Sequence, residues 1–171
     1  MDTKDKIKVA ESDLDRVLSF FARADSKASV VLGVDLGMLA LLLLNAPPFR
    51  TLTILTVLVL LVPTLMLCWS LVHIYLNAFP QLDGGDDSLI YFREIANRTE
   101  TSYMEDFGKI DEDSYLRDLN SQIWRNSEIL KKKFDNLKWA FNILAITVVP
   151  WSIALLIMSA LNTTSQSLIS K

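Results

Sequence analysis

Three apolar runs set the terms for this chain: Val30 to Leu44, Leu52 to about Tyr75, and Trp139 to Leu161. Crossing a hydrocarbon core of ~30 Å takes about 20 mostly apolar residues in a helix. The second and third runs reach that length, and the first does once Ala28 and Ser29 are counted. Asp35 lies inside the first run, which otherwise carries no charge. A charge at membrane depth is costly and turns toward protein or water rather than lipid. Asp35 is therefore the first candidate functional residue of an integral membrane protein.

The net charge of -3 gives no field suited to nucleic acid, so none is expected as a partner. The single cysteine, Cys68, falls in the second run; it excludes an intramolecular disulfide and reads as a small membrane hydrophobe. The first run begins too far into the chain, and lacks the small-residue cleavage site, to be a removed leader. Fifteen of the seventeen lysines and arginines lie before the first run or between the second and third. Only Arg50 and Lys171 lie on the other side. Positive charge marks the cytoplasmic face, so the N-terminus and the middle region are expected inside the cell and the C-terminus outside. Trp69, Tyr75, Phe79 and Trp139 fit the inner interface.

The expected layout follows. Residues 1–28 form a cytoplasmic helix continuous with a first span at 29–45, and 46–51 form an external hairpin. A second span at 52–77 leads to a cytoplasmic helical region at 78–138, then a third span at 139–161 and an external tail at 162–171. The arm carries an apolar seam at Ile7, Ala10, Leu14, Val17, Phe21, Ala24, Ala28 and Val31, spaced by three and four as in a helix. From Ser88 the seam is Leu89, Phe92, Ala96, Thr99, Tyr103 and Phe107. After Asp113 it is Leu116, Leu119, Ile123, Asn126, Leu130, Phe134, Leu137 and Phe141. Nothing alternates as a strand does. The fold class is all-α, with three transmembrane helices. Extensions of the first and third spans (helices from Ala10 to Leu44 and Asp113 to Leu161) plus one shorter helix, Ser88 to Phe107, form a cytoplasmic bundle. The longest would run on the order of 70 Å. Pro80 to Asp87 reads as a turn with Asp87 or Ser88 as an N-cap. Gly108 reads as a C-cap, and Asp111 or Asp113 as the next start. Pro63 and Pro150 sit mid-span, where proline kinks a helix.

No enzyme constellation is present, and catalysis is not expected. One histidine, His73, and one cysteine do not make a metal site, and His73 reads as an interfacial polar tip beside Tyr75. Gly84-Gly85 is a turn with no phosphate-loop lysine after it. No cofactor is expected. Three roles suit Asp35: pairing with Asn142 or Ser152 of the third span, lining a polar path, or sitting as a neutral, hydrogen-bonded acid. Gly33 and Gly37 lie on the opposite side of the helix at a spacing that permits close helix approach. Three spans are too few to enclose a wide aqueous path, so a homo-oligomer is expected. Lys131, Lys132, Lys133 and Lys138 suit anionic lipid heads. A second reading makes an anion pocket of Arg23, Lys27 and Lys133, with Asp25 among them for a polar base or ribose and Tyr103 as a stacking surface.

The segment Phe21-Ala22-Arg23-Ala24-Asp25-Ser26-Lys27-Ala28-Ser29 resembles the A-D-x-K-A signature of the Pycsar effector transmembrane family. Tyr91-Phe92-Arg93-Glu94-Ile95, Tyr103, Asp118-Leu119-Asn120-Ser121-Gln122-Ile123 and Lys132-Lys133-Phe134 agree in order and spacing, from about Asp13 to Leu161. Asp35 departs from the neutral residue the resemblance leads one to expect. The resemblance implies a bacterial antiphage effector whose partner, a nucleotidyl cyclase, makes cCMP or cUMP on infection. The effector would sense that cyclic pyrimidine nucleotide, impair the inner membrane and cause growth arrest or cell death. The alternatives are a small helical membrane scaffold with no nucleotide ligand, or a two-span conflict effector answering another nucleotide signal.

Overall fold

The computed structural model describes residues 1–48, 53–81, 85 and 87–169, with side chains as far as residue 163. Arg50, Leu52, Leu82, Asp83, Gly84, Asp86 and Lys171, on which parts of the expected hairpin, turn and charge split rest, lie outside these residues. The described residues hold five helices and no strand: α1 Thr3–Leu44, α2 Ile54–Ala78, α3 Phe92–Ala96, α4 Glu100–Lys109 and α5 Glu112–Ile169. Three of them, α1, α2 and α5, are long and apolar enough to cross a membrane. The all-α class with three spans holds.

The chain divides into two compact units. The first comprises Met1–Ala24 and Phe79–Phe134, the second Asp25–Ala78 and Asp135–Lys171. Both α1 and α5 contribute residues to each.

In the first unit, α1 starts earlier than Ala10 because Asp2 caps it: its carboxylate accepts the Thr3 N–H at 2.8 Å. Asp111 does the same for α5, accepting the Ser114 N–H at 2.6 Å, so that helix starts at Glu112. The expected single helix from Ser88 to Phe107 is two helices. The Arg98 N–H closes a tight turn onto the Ile95 carbonyl, and Thr99 swings extended and caps α4 by accepting the Ser102 N–H. Ser88 caps a turn rather than a helix, its hydroxyl accepting from the Ile90 and Tyr91 N–H groups. Gly108 is no C-cap. It sits within α4, which ends at Ile110 in extended conformation, where no left-handed residue is needed. Phe92 and Phe107 are exposed, so the seam drawn through them is not a buried stripe. The core here is Ala10, Ala24, Leu119, Gln122 and Ile129. Arg98 ties α4 to the preceding turn, donating to Asp106 at 2.6 Å and to the Asp87 carbonyl at 2.9 Å.

In the second unit, the buried positions fall at intervals of three, four or seven residues on each helix. They are Ala28, Val31, Asp35, Met38 and Leu42 on α1, and Pro63, Leu67, Ser70, Ile74 and Asn77 on α2. On α5 they are Leu137, Ala140, Leu144, Thr147, Ala154 and Met158. A mean spacing of 3.5 suits left-handed, shallow helix crossing. Phe141 falls one residue off that stripe and is exposed, correcting the expected α5 seam. Val30, Leu43, Ile54, Leu65, Val149 and Leu156 are more than half exposed. Surface of that kind is stable against hydrocarbon and not against water. Both α2 and α5 continue through Pro63 and Pro150 as single helices.

The α5 cap has a measurable acid dependence. The Ser114 N–H, with the Ser114 hydroxyl adding to it, holds the Asp111 carboxyl below its usual range. A carboxyl depressed in the folded state lends stability above its unfolded range, and that stability is lost as pH falls through the folded value. Asp111→Asn keeps a capping oxygen without a titrating charge. Its helical circular dichroism is expected to lack an acid-induced loss that the wild type shows; superimposable acid titrations would contradict this.

Candidate functional site

Five residues were singled out by sequence as a ligand site, and the structure places them as follows. Lys133 on α5 is half-buried, its ammonium 5.9 Å from the centre of the Phe21 ring. Arg23 is exposed on α1 with its guanidinium 5.0 Å from the Phe20 ring. Tyr103 on α4 rests against Phe107, ring centres 5.8 Å apart. These three belong to the first unit, while Asp25 and Lys27 belong to the second and are exposed on α1. Of the three, Lys133 lines a cavity that Arg23 and Tyr103 do not line.

That cavity has a volume of about 210 Å³. Its α5 wall carries Gln122, Arg125, Asn126, Ile129 and Lys133, which share one face at three- and four-residue spacing. The facing wall is Phe21 of α1 together with Gln81, Tyr91 and Phe92. Gln122 is 5 % exposed, and its Nε2 meets no acceptor among the described residues. Arg125 faces Glu128 at 3.4 Å. Gly85, with φ +85°, lies beside two of these residues: a Cβ there would come within 2.6 Å of the Tyr91 ring and 3.2 Å of Gln122 Nε2. A glycine is therefore needed both for the backbone and for the close approach. Sequence reasoning missed Gln122, Arg125 and Tyr91. A signal was present: Gln122 and Asn126 interrupt the apolar stripe between Leu119 and Ile129 where a purely packed helix has no use for amides.

A larger groove of about 520 Å³ lies between α4 and the start of α5, lined among others by Asp87, Asp106, Asp111 and Asp118 with Lys109 and Arg117. Its carboxylates are engaged. Asp106 accepts from Arg98, Asp111 caps α5, and Asp118 accepts the Leu89 N–H at 2.9 Å. Four carboxylates repel an anion, and their bonds read as scaffolding.

In the second unit Asp35 has no exposed surface. Its Oδ2 accepts from the Ser70 hydroxyl at 2.7 Å, and Oδ1 meets no donor among the described residues. Ser70 Oγ also lies 3.2 Å from the Ala140 carbonyl. A hydroxyl has one proton, so the two acceptors compete for it. The expected partners on the third span are not used: Asn142 is exposed, and the Ser152 hydroxyl donates to the Val148 carbonyl at 2.8 Å. The partner comes instead from the second span, where Ser70 lies on the buried stripe. His73 sits edge-on to Trp69 and stacked on Trp139, with Nδ1 3.2 Å from Asn136 Oδ1. Gly33 and Gly37 are exposed, and a Cβ at either would meet nothing within 4 Å. Among the described residues no group of three or more metal-ligating side chains occurs.

Residues 9–159 match the Pycsar effector protein domain. No curated protein and no solved structure matches the chain.

Removing the Ser70 hydroxyl strips a buried carboxyl oxygen of its donor, a loss of about 1–3 kcal/mol. Ser70→Ala is expected to lower stability in mixed-micelle unfolding by that amount. Asp35→Asn, which retains an acceptor for Ser70, is expected to cost less. Equal stability of Ser70→Ala and wild type would contradict the pairing.

Proposed function

We propose a function from one premise: this chain belongs to the Pycsar effector family. It is an antiphage defence effector with membrane helices. Our reading is that its first unit binds a cyclic pyrimidine nucleotide, cCMP or cUMP, supplied by a cyclase, and that its second unit impairs the inner membrane in response. The observation that carries this is the continuity of α1 and α5. Each is a single helix with a polar half and an apolar half, and the family match covers all but the ends of both. Helices continuous from a binding region into the bilayer turn a change in side-chain packing into a change within the membrane.

A ligand does this only through its differential affinity for two arrangements. A buried, incompletely satisfied pair such as Asp35 and Ser70 lowers the cost of leaving the resting arrangement. Lys133, at the cavity, is the proposed anion partner of the nucleotide, with Arg23 and Tyr103 of the same unit as further contacts. The excess of lysine and arginine in 1–28 and 78–138 supports placing the first unit in the cytoplasm. The open Gly33 and Gly37 face supports a homo-oligomer, since small residues allow helices of neighbouring copies to approach.

The test is co-expression with an active or an inactive nucleotidyl cyclase that makes cCMP or cUMP. Growth arrest is expected only with the active cyclase. Lys133→Glu is expected to reach the membrane at wild-type levels and to abolish the arrest. Arrest that is equal with the inactive cyclase would sink the sensing reading and favour an unregulated disruptor. No arrest with either would favour a scaffold.

A further inference from the structure

We propose that the face shared by α2 and α5 holds one membrane phospholipid, its phosphate at a cluster around His73 and the end of an acyl chain in an apolar groove at Val62 and Pro150. Such a site is independent of nucleotide sensing. Naming its leaflet, the cytoplasmic one, rests on the orientation proposed above.

Three features of the membrane unit agree. The first is the polar cluster. His73 of α2 is edge-on to Trp69, stacked on Trp139 of α5 and 3.2 Å from Asn136. Both tryptophans are more than half exposed. Their indole N–H groups and the Asn136 amide nitrogen make no hydrogen bond among the described residues. Tryptophan at a membrane interface sets its ring against chains and its N–H among head groups. Donors gathered about one imidazole suit an ionised oxygen, which accepts a bond about twice as strong as a neutral one does. The phosphate diester is the anion that a bilayer presents at this depth.

The second feature is the groove. It has a volume of about 300 Å³ and is lined by Leu58, Val59 and Val62 of α2 with Pro150 and Ile153 of α5. None of these is polar, so the groove suits a run of methylenes. The third is the spacing between the two. The helices run antiparallel here, since 73 stacks on 139 while 62 and 150 line one groove. These two levels are eleven residues apart on each helix, about 16 Å of rise. Half of a ~30 Å hydrocarbon core is about 15 Å. A lipid anchored by its phosphate at the first level therefore ends its chain at the second. Met66 on α2, and Ile143 and Ile146 on α5, continue the same faces between the levels at intervals of three and four.

The competing account is an ordinary aromatic belt over which lipid exchanges freely. To separate the two, full-length protein is extracted from vesicles of phosphatidylethanolamine and phosphatidylglycerol. The vesicles are doped with a phospholipid bearing a photoreactive diazirine at the end of one acyl chain. Washing in mild detergent strips exchangeable lipid before irradiation, and a diacylglycerol with the same chain is the control without phosphate. Native mass spectrometry is expected to find one phospholipid retained per chain, with photo-adducts on residues 58–62 and 150–153. The diacylglycerol is expected to be retained at least ~10-fold less, the value of one hydrogen bond to a charged group. Trp139→Leu, which removes a ring and a donor, is expected to lower phospholipid retention by about 10-fold. Val62→Trp, which fills the groove, is expected to abolish the adducts on 150–153. The wild-type adduct map decides the matter even if a variant fails to assemble.

No phospholipid retained by wild type, or adducts spread over all lipid-facing positions, would overturn the site and leave an aromatic belt. Retention undiminished in a folded Trp139→Leu would overturn the part given to the cluster. Diacylglycerol held as well as phospholipid would overturn the part given to the phosphate. Each of these outcomes leaves the sensing reading where it stands.

Discussion

Hydrocarbon offers a peptide backbone no hydrogen-bond partner, and this single constraint shapes the chain from end to end. Every backbone group at membrane depth must be satisfied by a helix or a closed barrel, and apolar runs of this length without strand alternation satisfy it as helices. Side chains obey the same rule where they can. Thr64, Thr147 and Ser152 each donate back to the carbonyl four residues earlier. Trp151 donates to the Met38 carbonyl, and Asn162 to that of Asn45. Against that background the Asp35 and Ser70 pair stands out, because its donors and acceptors do not balance. The span unit is tightly specified by its 3.5-residue stripe yet buries a polar contact in which Asp35 Oδ1 meets no donor among the described residues. An element able to switch needs both properties: a defined resting state and a modest cost of leaving it.

The polar unit meets a different problem. Its helices are short or only one-sided, and amphipathic helices of this length are marginal alone in water. Caps and cross-links do the local work: Asp2 and Asp111 at helix starts, Thr99 for α4, Arg98 to Asp106, and Tyr115 to Glu11 at 3.2 Å. Burial together with the Glu11 carboxylate pushes the Tyr115 phenol up, so the hydroxyl stays a donor. What these contacts leave is a small cavity whose wall mixes amides, aromatic rings and cations.

Much of this was legible in the sequence because it depends on periodicity and charge alone. The three spans, the arm seam from Ile7 to Val31 and the cap at Asp111 follow from spacing and from one carboxylate at a helix start. The partner of Asp35 was not legible, since choosing Ser70 over Ser152 requires knowing which face of α2 is buried, and α2 is apolar almost all round. The break at Asn97 to Thr99 was hidden because Ala96, Thr99 and Tyr103 keep a helical spacing across it. The cavity was hidden for a related reason: Gln122 and Asn126 are ordinary helix residues until Tyr91 and Phe92, far away in sequence, line a cavity with them. Lys133 was legible as the cation of an anion pocket, but Gln122, Asn126 and Tyr91, which line the cavity with it, were not.

In the function proposed here, occupancy of the polar unit changes the state of the membrane unit, and purified protein in sealed vesicles is the system in which that coupling is read. Vesicles of bacterial lipid loaded with a self-quenched dye and carrying the full-length protein, with the nucleotide supplied on the side that bears the first unit, report any loss of integrity. Dye release or collapse of an imposed potential is expected to rise with the cyclic pyrimidine nucleotide, to saturate with its binding, and to be absent without ligand. Vesicles that stay sealed when the protein is shown to be saturated with ligand would contradict it.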